Sequence, residues 1–249
     1  MGNADVVRGV RAGWRSALGE ARQEVDRKGR SFFFVSYDLF VFDLDGTLID
    51  SRRDIADSAN ELLASCGGAP LPEDAVGRMV GDGAPALVAR AFAGAGLVPP
   101  ADALERYLAI YDRRLLVHTR AYPGVADVLA ALSRRAALAL LINKPRRSIR
   151  RILDGLDLSR YFSDDAVVAG DGPFPRKPDP GGLRHLAAAA RPTGETLLVG
   201  DSAIDWQTAR AAGVSICLAR YGFGLDGIPL DRLSPGDRVI DAPSELLTL

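Results

Sequence analysis

Asp43 and Asp45 stand two residues apart at the end of an apolar run, "FVFDLDGTLIDS", residues 40 to 51. A strand that only had to be buried would not end in two carboxylates followed at once by Gly46 and Thr47. Like charges this close repel unless a metal ion or a proton held by one of them relieves the pair. Three more segments place polar groups in the same way. "ALALLI" ends at Asn143, "TLLVG" ends at Asp201 with Asp205 four residues on, and Lys177 lies in the loop "FPRKPDP". Together these are four carboxylates, an amide and an ammonium. Hard oxygen ligands with open positions suit Mg²⁺, which keeps several waters and binds through a few carboxylates plus substrate phosphate.

Each segment also has a plainer reading. "GDS" after an apolar strand can be a helix N-cap, "RKPDP" a Pro-rich loop, and Asn143 a turn residue. What argues against four coincidences is their place. All four follow an apolar strand, and ligands of open parallel α/β sheets bind at the carboxyl ends of the strands.

The elements that must deliver these residues are readable. "YDLFVF" is a nearly continuous apolar run, as buried parallel strands are. From 122 onward, apolar strands alternate with helical stretches: a helix at 124–135, strand "ALALLI", a helix at 145–156, strand "AVVAG", helix "PGGLRHLAAAA", strand "TLLVG", helix "AIDWQTARAAG" and strand "VSICLA". That alternation means βαβ units and a parallel sheet. Residues 52 to 121 show helices and no good strand. The first of these, "SRRDIADSANELLASCGG", opens with Ser51 and Asp54 in capping-box-like spacing. The expected division is a core domain of residues 37–51 and 122–249, a helical domain of 52–121 inserted after the first strand, and an N-terminal extension of 1–36. Val35 is an alternative start, which would leave residues 1–34 outside the natural chain.

Composition bounds the function. The 249 residues are 47% hydrophobic and 25% charged with a net charge of −1, an ordinary globular balance without the basic footprint of a nucleic-acid or membrane-surface binder. No apolar stretch is long enough to span a membrane, and residues 1–30 lack the apolar centre of a signal peptide. Cys66 and Cys217 are far apart and read as reduced thiols, so a cytoplasmic setting is expected. Of 31 basic residues only Lys28, Lys144 and Lys177 are lysines, so a Lys in this chain tends to mark a chemical need.

The order of "DLDGTLIDS", "NKP", "RKPDP" and "VGDSAIDWQTARAAG" resembles the haloacid dehalogenase-like superfamily of phosphatases, over about residues 37 to 241. "VGDGAPALVARAF", "YPGV" and "YGFG" make the chain similar to bacterial phosphoglycolate phosphatases. The resemblance implies a Rossmann-like core with a helical cap inserted after the first strand. It implies Asp43 as the nucleophile that forms an aspartyl-phosphate, and Asp45 as the acid and base. Gly46, Thr47, Asn143 and Lys177 would surround the phosphoryl group. Mg²⁺ would be held by Asp43, the Asp45 carbonyl and Asp201, with Asp205 in support. The implied substrate is a small phosphorylated metabolite, 2-phosphoglycolate first. A sugar-phosphate mutase, a pyrophosphatase or a weakened phosphate-binding protein are the alternatives.

One position departs from the pattern. The family carries Thr or Ser just before Asn143, and here that residue is Ile142, which has no side-chain donor. Either a backbone N–H or the Asn143 amide compensates, or catalysis is weakened by the loss of a hydrogen bond to phosphate. His118, His185 and Trp206 read as packing or surface residues. Arg78, Arg90 and Arg113 on the inserted helices are candidates to meet a substrate carboxylate, and Gly81 and Gly83 in "VGDGAP" are expected to face the core site.

Overall fold

The computed structural model describes residues 23–25, 31–33 and 36–249. Most of the N-terminal extension and the alternative start at Val35 lie outside these residues. Of the N-terminal stretch, β1 (Gln23–Val25) and β2 (Ser31–Phe33) pair antiparallel.

The core begins at β3 (Tyr37–Phe42). Its apolar run is continuous because both faces are covered. Phe40 and Phe42 point into one hydrophobic cluster while Leu39 and Val41 point into another, as the two-residue period of a strand requires. A short β4 (Ile49–Asp50) follows and pairs antiparallel with β5 (Arg120–Ala121). The chain thus leaves the core and returns to it at one place. Between the two lie α1 (Arg52–Ala64), α2 (Glu73–Gly77), α3 (Ala84–Gly94) and α4 (Ala103–Arg114), with no strand among them.

The rest alternates: α5 (Val125–Leu132), β6 (Ala137–Leu141), α6 (Arg146–Gly155), β7 (Val167–Val168), α7 (Gly181–Ala190), β8 (Glu195–Gly200), α8 (Ala203–Ala212), β9 (Ser215–Ala219) and β10 (Arg238–Ile240). Six strands form one parallel sheet in the order β10-β9-β8-β3-β6-β7. The fold is α/β, a Rossmann-like sheet with a helical insertion after its first strand. From the central β3 the chain builds outward through β6 and β7, then returns to the other side with β8. The strand order therefore reverses at β3, which opens a crevice at the carboxyl ends of β3, β6 and β8.

Three local expectations change. Ser51 and Asp54 form no capping box: Ser51 makes no side-chain cap bond on α1. Its hydroxyl donates to Asp45 instead. Asp54 accepts the backbone N–H groups of His118 and Thr119 and the Thr119 hydroxyl, which seals the turn after α4 and ends that helix before Thr119. "AVVAG" keeps only Val167 and Val168 as strand, and β10, a three-residue edge strand, was too short to leave a periodic signal. His185 packs its ring against Phe174, and Trp206 packs on the core face carrying α7 and α8.

Candidate active site

The register of the sheet sets the site. Phe42 lies opposite Val199 across β3 and β8, so Asp43 and Asp201, which follow these two strands, emerge side by side. The Asp43 N–H donates to the Val199 carbonyl at 2.8 Å, which fixes the point where β3 stops. Asp205 sits on the first turn of α8, where Ser202 is the N-cap. The Ser202 side chain accepts from the Asp205 N–H and the Asp205 carboxylate accepts back from Ser202, so the capping box aims Asp205 at the crevice. The plain N-cap reading of "GDS" and the chemical one are thus both present. Asp43, Asp201 and Asp205 each offer a carboxylate oxygen within 4.8 Å of the others, all buried.

Lys177 bridges this cluster. Its Nζ lies 2.6 Å from Asp43 Oδ1 and 2.6 Å from Asp205 Oδ1. Burial opposes its charge, yet Asp205 and Asp43 hold the ammonium above its ordinary range. Burial pushes the Asp43 carboxyl up to about 7 despite the nearby Lys177, and burial, with Asp43 and Asp205 close by, pushes Asp201 well above the usual carboxylate range. The Asp201 carboxylate is positioned from two sides, by the Phe223 N–H at 2.7 Å and the Thr47 hydroxyl at 3.4 Å.

Asp45 belongs to a different neighbourhood. Its Oδ1 accepts from Lys144 Nζ at 2.6 Å and from the Ser51 hydroxyl at 2.5 Å, and it takes no part in the acidic cluster. Lys144 also reaches the Tyr111 hydroxyl of α4 at 2.8 Å. Sequence reasoning missed Lys144, Ser51 and Tyr111. The scarcity of lysine was the one signal for Lys144, and nothing in the local sequence pointed to Tyr111.

The remaining expected ligands take other tasks. The Gly46 N–H donates to Ile49 and the Thr47 N–H to Leu44, so both shape the turn and neither N–H is free for a phosphoryl oxygen. Gly46 has φ +87°, and a Cβ there would run into the Asp201 carboxylate. The N–H groups of Leu44 and Asp45 have no protein acceptor among the described residues and line the same turn. Asn143 gives both amide hydrogens away, to the Gly81 carbonyl at 2.9 Å and the Lys177 carbonyl at 3.0 Å, and accepts from the Lys177 N–H at 2.8 Å. Its side chain is a clamp between the insertion's glycine loop and the lysine loop, with no donor left for phosphate. Ile142 is buried and its N–H donates to Val168 at 2.9 Å, so of the expected substitutes for the missing hydroxyl the Asn143 side-chain amide and this N–H are spent, and the backbone N–H of Asn143, which has no protein acceptor among the described residues, is left. Gly81 and Gly83 do face the core site, lining with Asp43, Asp45, Ile142 and Asp201 a cavity of about 260 Å³. Arg113 is paired with Glu61, and Arg90 with Asp82, whereas Arg78 lines the cavity without an acidic partner among the described residues.

Four carboxylates meet two ammonium groups here, an excess of two formal negative charges in a buried space. An all-oxygen donor set with that excess fits a divalent cation.

The haloacid dehalogenase-like hydrolase model matches residues 37–213. The chain belongs to that family. It is 42% identical over 198 residues to the phosphoglycolate phosphatase of Rhodospirillum rubrum, covering 76% of this chain and 81% of that one. It is 40% identical over 194 residues to the plasmid phosphoglycolate phosphatase of Cupriavidus necator, covering 76% and 83%. Among solved structures, that of a predicted phosphoglycolate phosphatase from Haemophilus somnus superposes with a TM-score of 0.76 at 28% identity, covering 85% of this chain and 97% of the other. Among the described residues of this family member, no helix is long and apolar enough to cross a membrane.

Proposed function

We propose that this hydrolase is a Mg²⁺-dependent phosphomonoesterase acting on 2-phosphoglycolate through an aspartyl-phosphate. One observation carries the reading. Asp43 and Asp45, two residues apart, are sorted into different partnerships, Asp43 with Lys177 and the acidic cluster, Asp45 with Lys144 and Ser51. This separation supports a reading in which Asp43 attacks and Asp45 handles protons.

In the first half-reaction an Asp43 oxygen bonds to phosphorus, the ester P–O bond breaks, and protonated Asp45 gives its proton to the leaving oxygen. In the second, Asp45 takes a proton from water as the water oxygen bonds to phosphorus. The acyl-phosphate bond then breaks, and Asp43 and protonated Asp45 are restored. Lys177 offsets charge on Asp43 and on the phosphoryl oxygens, while the Leu44 and Asp45 N–H groups offer them donors. Mg²⁺ would be held by Asp43, the Asp45 carbonyl and Asp201, with Asp205 in support, and when bound it supplies charge neutralisation for the transferring phosphoryl group. A dehalogenase has no alkoxide to protonate and no need for Asp45. The names of the relatives supply the substrate.

Ile142 favours a second reading, a phosphate-binding protein with weak turnover, because the donor usual at that position is missing. Phosphate release from 2-phosphoglycolate with Mg²⁺, against a panel of sugar phosphates and pyrophosphate, separates the two. Turnover with preference for 2-phosphoglycolate supports the phosphatase. Binding of inorganic phosphate without turnover of any compound overturns it.

A further inference from the structure

Lys144 has a donor left over. An ammonium carries three N–H groups, and two are spent on Asp45 and Tyr111. The Tyr111 hydroxyl accepts from Lys144, and its own hydrogen has no protein acceptor among the described residues. Both residues line the cavity, the Lys144 side chain only 10% exposed and Tyr111 buried. Two unspent donors, one of them cationic, therefore meet in a nearly dry corner. They come from different parts of the fold, Lys144 from the loop after β6 and Tyr111 from α4 of the insertion. The Tyr111 ring is fixed by stacking on Tyr107 with centroids 5.9 Å apart, and Lys144 Nζ sits 4.9 Å from the Tyr111 ring centre.

The position relative to Asp45 says what this corner would hold. Asp45 is the group that must touch the ester oxygen. In a 2-phosphoacid that oxygen is separated from the carboxylate by a single CH₂. The group that touches the carboxylate must then be an immediate neighbour of the group that touches the ester oxygen. Lys144 is bonded to Asp45 directly. Lys177 has no such place, since it is turned to Asp43 and Asp205. Arg90 is held by Asp82 and the Met79 carbonyl. Arg78 is exposed, so its attraction for a carboxylate is screened by water.

We propose that Lys144 and Tyr111 form the seat for a substrate carboxylate one carbon from the ester oxygen, and that Lys144 thereby determines specificity. The assignment rests on the phosphomonoesterase reading and adds the feature by which that site tells an acidic ester from a neutral one. A carboxylate in this seat bonds to both halves of the molecule, so binding an acidic substrate ties the insertion to the core over the reacting groups.

The test compares two phosphomonoesters that differ in the carboxylate, 2-phosphoglycolate and ethyl phosphate, and reads the ratio of their kcat/KM values. Wild type is expected to prefer 2-phosphoglycolate strongly. Lys144→Met should lower that ratio by roughly thirtyfold or more, the weight of a buried charge-assisted contact. Tyr111→Phe removes one oxygen and keeps the ring stack, so it folds. It should lower the ratio by about fivefold, a neutral hydrogen bond's worth. If both variants lose activity equally on the two esters, Lys144 only positions Asp45 and the seat is refuted. A ratio that collapses in Arg78→Ala and holds in Lys144→Met and Tyr111→Phe moves the seat to Arg78 and refutes it too. Wild type that cleaves both esters alike refutes the seat alone, whereas wild type that cleaves no phosphomonoester refutes the phosphatase reading beneath it.

Discussion

Ile142→Thr adds a hydroxyl where the family carries one, at the end of β6 and on the wall of the cavity. The structure removes the obvious compensations. The Ile142 N–H is given to Val168, and both Asn143 amide hydrogens go to carbonyls. The backbone N–H of Asn143, which has no protein acceptor among the described residues, is left as a donor, and a hydroxyl at position 142 would add a second. A hydrogen bond to a charged phosphoryl oxygen contributes about 1.5–3 kcal/mol. Taking about 2 kcal/mol, kcat/KM should rise roughly thirtyfold. The change has a cost. Ile142 is 3% exposed and belongs to the main core cluster, so losing a methyl group and burying a hydroxyl should destabilise the fold by about 1–2 kcal/mol. The assay is steady-state kinetics on 2-phosphoglycolate for both proteins, with thermal unfolding alongside. A lower Tm with higher kcat/KM is the expected pair. A stable variant with unchanged or lower kcat/KM would show that the phosphoryl site is complete without the hydroxyl.

Asn143→Ala cuts three hydrogen bonds, two buried and one partly buried, that join the Gly81 loop to the Lys177 loop. It should cost about 2–4 kcal/mol in thermal or denaturant unfolding and lower kcat more than a surface substitution does. Gly46→Ala places a Cβ against Asp201 at a backbone φ of +87°, so Mg²⁺ titrations of activity should show at least about tenfold weaker metal dependence. With the Asp43 carboxyl pushed up to about 7 by burial, between about pH 4 and 7 the metal-free folded protein keeps a proton there that the unfolded chain has lost. This term favours the fold at low pH and fades as pH rises from about 4 through 7, so metal-free Tm should fall over that window. Mg²⁺ must displace the proton, so its affinity by calorimetry should be full above pH 7 and drop by up to about tenfold per unit below it.

The interior strands and three of the four chemistry-bearing segments were legible because β3, β6 and β8 are buried on both faces and Asp43, Asn143 and Asp201 follow them closely, whereas Lys177 sits in the loop beyond the edge strand β7. The short β4, β5 and β10 were not, since two or three residues carry no period. The site was legible as a set of carboxylates and less so as a set of bonds. Asn143, Gly46 and Thr47 lie beyond the carboxyl ends of β6 and β3, but the Asn143 side-chain amide and the Gly46 and Thr47 N–H groups are given to carbonyls that only the folded loops bring near. Ser51 illustrates the limit. Its spacing from Asp54 suggests a helix cap, and tertiary contact gives Ser51 to Asp45 and Asp54 to the turn at His118 and Thr119. Tyr111 lies 66 residues from Asp45 in sequence and meets it through Lys144, a pairing no local pattern encodes.

The central claim is that Asp43 receives the phosphoryl group, and rapid acid quenching of the enzyme during turnover of 2-phosphoglycolate with Mg²⁺ tests it most directly. Peptide mass spectrometry of the quenched wild type should find phosphate on the peptide carrying Asp43, formed at least as fast as kcat. Asp43→Asn should keep the wild-type fold, show no phosphopeptide and release no phosphate. Sustained phosphate release by Asp43→Asn, or wild-type turnover with the phosphoryl group never on Asp43, would contradict the account.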